Sequence, residues 1–112
     1  MSGLFTRLFG TKSSALKWLE VADIQPQLGS VLLVDVRQPE EYHAPPGHLP
    51  GAINVPLAEV RNMFSVLDRS REYVAYCQSG RRSAAAAFLF AQRGFRVWVL
   101  EGGLKQAAER RP

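Results

Sequence analysis

Residues 73–87 read YVAYCQSGRRSAAAA and contain the one cysteine of the chain, Cys77. A short apolar run leads it into a loop with Gly80, Arg81 and Arg82, and an alanine-rich segment follows at once. Taken alone, Cys77 reads as an inert hydrophobe ending a buried strand, because free cysteines are among the most buried residue types. Its neighbours favour a reactive thiol instead. Gly80 lets the backbone curl so that successive N–H groups point inward, at the start of a helix, and such a nest stabilises negative charge. A cysteine at its centre is expected to act as the thiolate, the nucleophilic form.

Two chemistries use an anion nest around a cysteine: phosphate-ester hydrolysis and sulfur transfer. Phosphatase loops set five residues between the cysteine and the arginine, which leaves room for a tetrahedral phosphate. Here four residues, Gln78 to Arg81, separate Cys77 from Arg82. A persulfide, the cysteine carrying one extra sulfur, is smaller than a bound phosphate and suits the tighter ring. Adjacent side chains in a tight loop seldom face one centre, so Arg82 is the expected anion binder, with Arg81 second.

The elements that must hold this loop alternate in type. Lys17 to Val21 reads as a short strand, and Asp23 can cap a small helix through Leu28. VLLVDV, residues 31–36, is continuous and rich in β-branched residues, as a strand buried on both faces would be. The segment RQPEEYHAPPGHLPGAIN is too rich in proline and glycine for regular structure, apart from one helical turn over Glu40 to His43. AINVP reads as a short strand, then Leu57 to Leu67 as a helix with Leu57, Val60, Phe64 and Leu67 on one face. EYVAYC is a buried strand, and Ser83 to Arg93 a helix with Ala84, Ala87, Phe88 and Ala91 on one face and Gly94 as its stop. FRVWVL and a terminal helix after a glycine turn complete the pattern. Strands alternating with helices predict an α/β domain with a central, mostly parallel sheet and helices on both faces. Ligands of such sheets bind beyond the carboxyl ends of the strands, where Cys77 falls.

At 112 residues, with 46% hydrophobic and 21% charged residues, the chain is expected to form one domain over 15–112 behind an extension of residues 1–14. The extension places Leu4, Phe5, Leu8 and Phe9 on one helical stripe. It reads as a loose tail, a partner-docking helix, a helix packed on the domain or a membrane-surface anchor. It has neither the continuous apolar region nor the cleavage site of a signal peptide. No apolar run reaches the roughly eighteen residues of a membrane span, so a membrane partner is not expected. A lone cysteine makes no internal disulfide, and the protein is expected in the cytoplasm. The net charge of +4 comes from eleven arginines and three lysines against ten acids. The arginines are scattered, without interleaved aromatic residues, so a small anion is a better partner than nucleic acid. His43 and His48 lack the company of metal ligands.

Four segments in order resemble the rhodanese family, the single-domain sulfurtransferases: LLVDVRQPEEY, GHLPGAINVPL, CQSGRRS and LEGGL, covering roughly Val31 to Gly103. The resemblance implies a parallel sheet flanked by helices and a double displacement through a persulfide, with no metal or organic cofactor. The donor would be thiosulfate or a similar small anion, and the acceptor cyanide or a thiol, including a thiol on another protein. It implies Cys77 as nucleophile and the N–H groups of Gln78, Ser79, Gly80, Arg81, Arg82 and Ser83 as a cradle for the persulfide. The Ser83 hydroxyl would donate to the thiolate and cap the helix. Asp35, Arg37 and Glu41 read as a polar network tying the strand end to the proline-rich loop, and His48 as a hydrogen-bonded loop residue. A slow persulfide relay docked on a partner through the extension is the alternative. Two places depart from the family pattern: EYHAPPGH is long, and a tryptophan near Ala107 is absent. The pocket rim and the seating of the terminal helix are therefore the parts the resemblance leaves undetermined.

Overall fold

A computed structural model describes residues 16–20 and 31–109, with side chains through Ala107. The extension and the expected Asp23–Leu28 helix lie outside the described residues. The strands are β1 (Lys17–Leu19), β2 (Val31–Asp35), β3 (Ile53–Asn54), β4 (Glu72–Tyr76) and β5 (Arg96–Leu100). The helices are α1 (Pro39–His43), α2 (Val60–Met63, entered through a 3-10 turn at Leu57–Glu59), α3 (Arg81–Gln92) and α4 (Gly103–Glu109). The strands form one sheet in the order β1-β5-β4-β2-β3, and every pairing is parallel. This is the α/β architecture expected from the alternation of elements.

The central strand β4 explains how one segment builds both faces. Successive side chains of a strand point to opposite sides. Tyr73, Ala75 and Cys77 join a core with Val60, Phe64, Ala86, Ala87 and Phe90 beneath α2 and α3. Val74 and Tyr76 join Leu33, Leu49, Ala52 and Leu100 on the other face, where Tyr42 and Leu104 also pack. Under α3, the rings of Phe64, Tyr73, Phe90 and Phe95 meet with centroids 5.3–5.9 Å apart. Such aromatic pairs contribute about 0.5–1.5 kcal/mol each beyond their burial, so this cluster fixes the far end of α3.

Two elements differ from their expected outlines. The 57–67 segment is a 3-10 turn and a four-residue helix, not one continuous helix. Its apolar face is nonetheless the expected one: Val60 and Phe64 are buried, and Leu57 and Leu67 pack against the same cluster. Helix α3 starts at Arg81, two residues earlier than Ser83, and ends at Gln92. It buries Ser83, Ala86, Ala87 and Phe90, whereas Ala91 is exposed and Ala84 and Phe88 are half-buried. The inward stripe is therefore displaced from the one expected through Ala84 and Ala91. The cause lies at the first turn, where Ser83 faces the Cys77 sulfur and sets the rotation of the whole helix. Ala86 and Ala87 then meet the core, their small side chains allowing close approach to the sheet.

Candidate active site

Cys77 follows directly on β4, the strand between β5 and β2, at the carboxyl end of the sheet. Its residue is fully buried. The alternatives of a nest-held thiol and a buried residue thus coincide at one position. The Gly80 N–H donates to Sγ at 3.1 Å and the Ser83 N–H at 3.4 Å. Both donors stabilise negative charge on the sulfur. Gly80 adopts a φ of 103°, in the region that favours glycine, and this turn brings its N–H inward just before α3 begins.

The six loop residues expected around the sulfur occupy different positions. Gln78, Ser79 and Arg81 are exposed, Gly80 and Ser83 are buried, and Arg82 lies between. Of their N–H groups, those of Gly80 and Ser83 hydrogen-bond to Sγ. The Ser83 hydroxyl differs from its expected role. It donates to the Gly80 carbonyl at 3.1 Å and accepts from the Cys77 thiol at 3.4 Å. Ser83 also sits inside the first turn of α3, not at its cap, because the helix begins at Arg81.

The polar network divides into two parts. Asp35 and Arg37 form a buried pair in which Nη2 meets Oδ2 at 2.8 Å and Nε meets Oδ1 at 3.0 Å. Arg37 also donates to the Gly47 carbonyl at 3.0 Å, which ties the end of β2 to the proline-rich loop as expected. Glu41 lies elsewhere: its carboxylate accepts from Nη1 and Nη2 of Arg82, at 2.6 and 3.0 Å. It also accepts the Gln38 N–H at 3.2 Å. The Arg82 hydrogen bond, partly opposed by burial and aided by Gln38, holds the Glu41 carboxyl down to about 2. Glu41 therefore joins α1 to the first turn of α3, not to the Asp35–Arg37 pair.

His48 stacks on Tyr42 with ring centroids 3.6 Å apart and shares a 3.0 Å hydrogen bond between Nδ1 and the Tyr42 carbonyl. Tyr76, which sequence reasoning passed over, accepts the Leu49 N–H at 3.0 Å and so holds the start of the LPGA turn. Burial pushes its phenol above the ordinary value, so it stays protonated. Asn54 donates to the carbonyls of Asp35 and Arg37 at 2.9 and 3.0 Å and ties the same strand end to β3.

The other omission was the purpose of the glycine pair. Leu104 N–H donates to the Cys77 carbonyl at 2.9 Å and Lys105 N–H to the Gln78 carbonyl at 3.0 Å. The first turn of α4 thus clamps the loop from the side opposite α3. A Cβ at Gly103 would lie 2.5 Å from both carbonyl oxygens, so only glycine admits this approach. The signal was present as GG before a helical segment, but sequence alone does not say what the helix start touches. The terminal segment has no tryptophan of its own, and α4 is seated by these bonds, by Leu104 against the Leu100 cluster and by the buried Ala107.

Among the described residues, no group of three or more His, Cys, Asp or Glu is placed to hold a metal, and no helix is long and apolar enough to cross a membrane. A parallel five-stranded sheet with a cysteine nest at its carboxyl end defines a class, and the sequence profile of the rhodanese-like domain matches residues 15–110. The chain belongs to the rhodanese-like domain family.

Its relatives range in size. An HTH-type transcriptional regulator of Mycobacterium tuberculosis is 52% identical over 52 residues, 46% of this chain and 22% of the regulator. The chain thus spans about a fifth of that relative's length. Thiosulfate sulfurtransferase PspE of Escherichia coli is 38% identical over 77 residues, which cover 67% of this chain and 72% of that enzyme. The crystal structure of a rhodanese-related protein from Thermoplasma volcanium superposes with a TM-score of 0.77 at 31% identity, covering 86% of this chain and 95% of the other.

Proposed function

We propose that this chain is a sulfurtransferase that moves sulfane sulfur from thiosulfate, or a similar small anionic donor, to a thiol or cyanide acceptor through a persulfide on Cys77. The observation that carries this reading is the pair of N–H groups, from Gly80 and Ser83, aimed at the sulfur of the chain's one cysteine. Family membership and the thiosulfate sulfurtransferase among the relatives support it.

In the first half-reaction the Cys77 thiolate attacks the outer sulfur of thiosulfate. A new S–S bond forms, the donor's S–S bond breaks, and its electron pair leaves with sulfite. The product is a persulfide anion on Cys77. Cyanide then attacks the outer sulfur, thiocyanate departs, and the bonding pair returns to Cys77 as the thiolate. No net oxidation or proton transfer is required. The N–H groups of the loop hold the anionic sulfur in each resting form, which is electrostatic stabilisation by preorganised donors. Arg82, with Arg81 second, receives the anionic oxygens of the donor. Four residues between Cys77 and Arg82 favour this small intermediate over a tetrahedral phosphate.

Incubation with thiosulfate is expected to add the mass of one sulfur to the intact protein, and cyanide to release it as thiocyanate. Cys77→Ser should abolish both. A wild-type protein that neither gains the sulfur nor yields thiocyanate overturns the reading.

A further inference from the structure

The arginine assigned above to the donor's oxyanion is held in an ion pair by Glu41, a residue to which the reaction gives no part. Arg82 projects from the first turn of α3, and its guanidinium is taken bidentately by Glu41 of α1, at 2.6 and 3.0 Å. The two side chains are each 37% exposed, so the pair lies at the surface, on the first turn of the helix whose Ser83 N–H reaches the buried sulfur. Arg82 immediately precedes Ser83, whose N–H donates to the Cys77 sulfur at 3.4 Å. Asp35 pairs with Arg37 in the buried interior, whereas Glu41 reaches across to Arg82. The arginine best placed for an incoming anion is thus already neutralised by a carboxylate of the same chain.

We propose that Glu41 is a specificity-determining residue: by holding Arg82 it makes an anionic donor compete with a resident carboxylate, and so sets how strongly the site selects by charge. The proposal rests on the reading of Cys77 and Arg82 above. It follows from the geometry of competition. The carboxylate occupies the end-on edge of the guanidinium, Nη1 and Nη2, and leaves only the Nε side for a second oxyanion. A donor oxyanion must displace Glu41 or approach an arginine whose charge is largely cancelled. A neutral or weakly charged reagent meets no such competitor. The pair is half-exposed and therefore weak, which is what an exchangeable partner requires. A rim pair of this kind corresponds to an effect of about two- to fivefold on binding.

The role of Glu41 is positioning, exerted through Arg82, and two reagents of nearly one shape separate it from a merely structural role. Iodoacetate is an anion and iodoacetamide is neutral, both are reagents for a cysteine thiolate, and the chain has one cysteine. The ratio of their rates at Cys77 reads the charge at the mouth, with iodoacetamide correcting for any change in exposure. Glu41→Gln is expected to raise the iodoacetate-to-iodoacetamide ratio about two- to fivefold. In the Arg82→Gln background the same change should raise it little. An unchanged ratio, an equal acceleration of both reagents, or an equal gain in both backgrounds overturns the proposal. The last result would make Glu41 a source of plain repulsion acting without Arg82. If circular dichroism shows Glu41→Gln to be unfolded, Glu41→Asp, which withdraws the carboxylate by one methylene, carries the comparison. With thiosulfate, Glu41→Gln should lower KM by a similar factor and change kcat far less. Absence of any thiosulfate turnover rejects the donor reading above, while the alkylation ratio still decides the role of Glu41.

Discussion

The Leu104 N–H donates to the Cys77 carbonyl at 2.9 Å, so the start of α4 grips the peptide that carries the sulfur. Gly103 makes this possible, because a Cβ there would lie 2.5 Å from the carbonyl oxygens of Cys77 and Gln78, and its φ is 65°. Gly103→Ala is expected to lower stability by about 2 kcal/mol, from backbone strain and displacement of the loop. Persulfide formation should fall further than this loss of folded protein explains. Urea unfolding and thiosulfate loading followed by intact mass test the two effects separately, and wild-type values in both would reject the clamp.

The Ser83 hydroxyl has two partners, a carbonyl that it donates to and a thiol that it accepts from. Its hydroxyl donates to the Gly80 carbonyl, which also receives the Ala84 N–H at 3.1 Å. Ser83→Ala therefore leaves no carbonyl orphaned and should cost about 1 kcal/mol. The sulfur keeps both backbone donors, so the rate of persulfide formation is expected to fall less than tenfold. A loss as complete as that of Cys77→Ser would give the hydroxyl a direct part in the chemistry.

Asp35 is fully buried, and Arg37 beside it nearly so. Removing the carboxylate alone leaves a buried guanidinium with the Gly47 carbonyl as its remaining partner. Asp35→Ala should destabilise the fold by about 3–5 kcal/mol. The measurement is the urea midpoint at neutral pH, and a cost near that of a surface substitution would contradict this account.

Glu41 gives the stability a distinct acid limb. Its carboxyl is held down to about 2 in the folded chain, against an ordinary value of 4.5. The folded state therefore favours the ionised form, and the contribution is present in full above the ordinary value. It is lost as the pH falls from about 4.5 towards about 2, because protonation ends the ionic pairing. The urea midpoints of wild type and Glu41→Gln should differ most above that window and converge within it. A gap that widens on acidification would reverse the sign and reject the pairing as its source.

The parts of the fold set by local pattern were readable in the sequence. Continuous apolar runs marked β2, β4 and β5, and the alternation of strand and helix gave the parallel sheet. The position of Cys77 at a strand end beside Gly80 followed from the same reading. What escaped depends on contacts between segments distant in the chain. The rotation of α3 is set by Ser83 against Cys77, which outweighs an equally regular alanine stripe one position away. Glu41 was grouped with Asp35 and Arg37, its near neighbours in sequence, although its partner is Arg82, forty-one positions later. The clamp by α4 is made of backbone groups, which no side-chain pattern announces.

Cys77 and the Arg82–Glu41 pair belong to regions of unequal cooperativity. The sulfur extends β4, which is paired on both sides at the middle of the sheet, whereas Glu41 is carried by a five-residue helix with no buried residues. Short exposed elements open at low free-energy cost, and central strands exchange their amides only near global unfolding. Local opening of α1 would release Arg82 without disturbing the strand that aims the sulfur. Ease of opening at the ion pair and rigidity at the sulfur are thereby assigned to separate pieces of the chain.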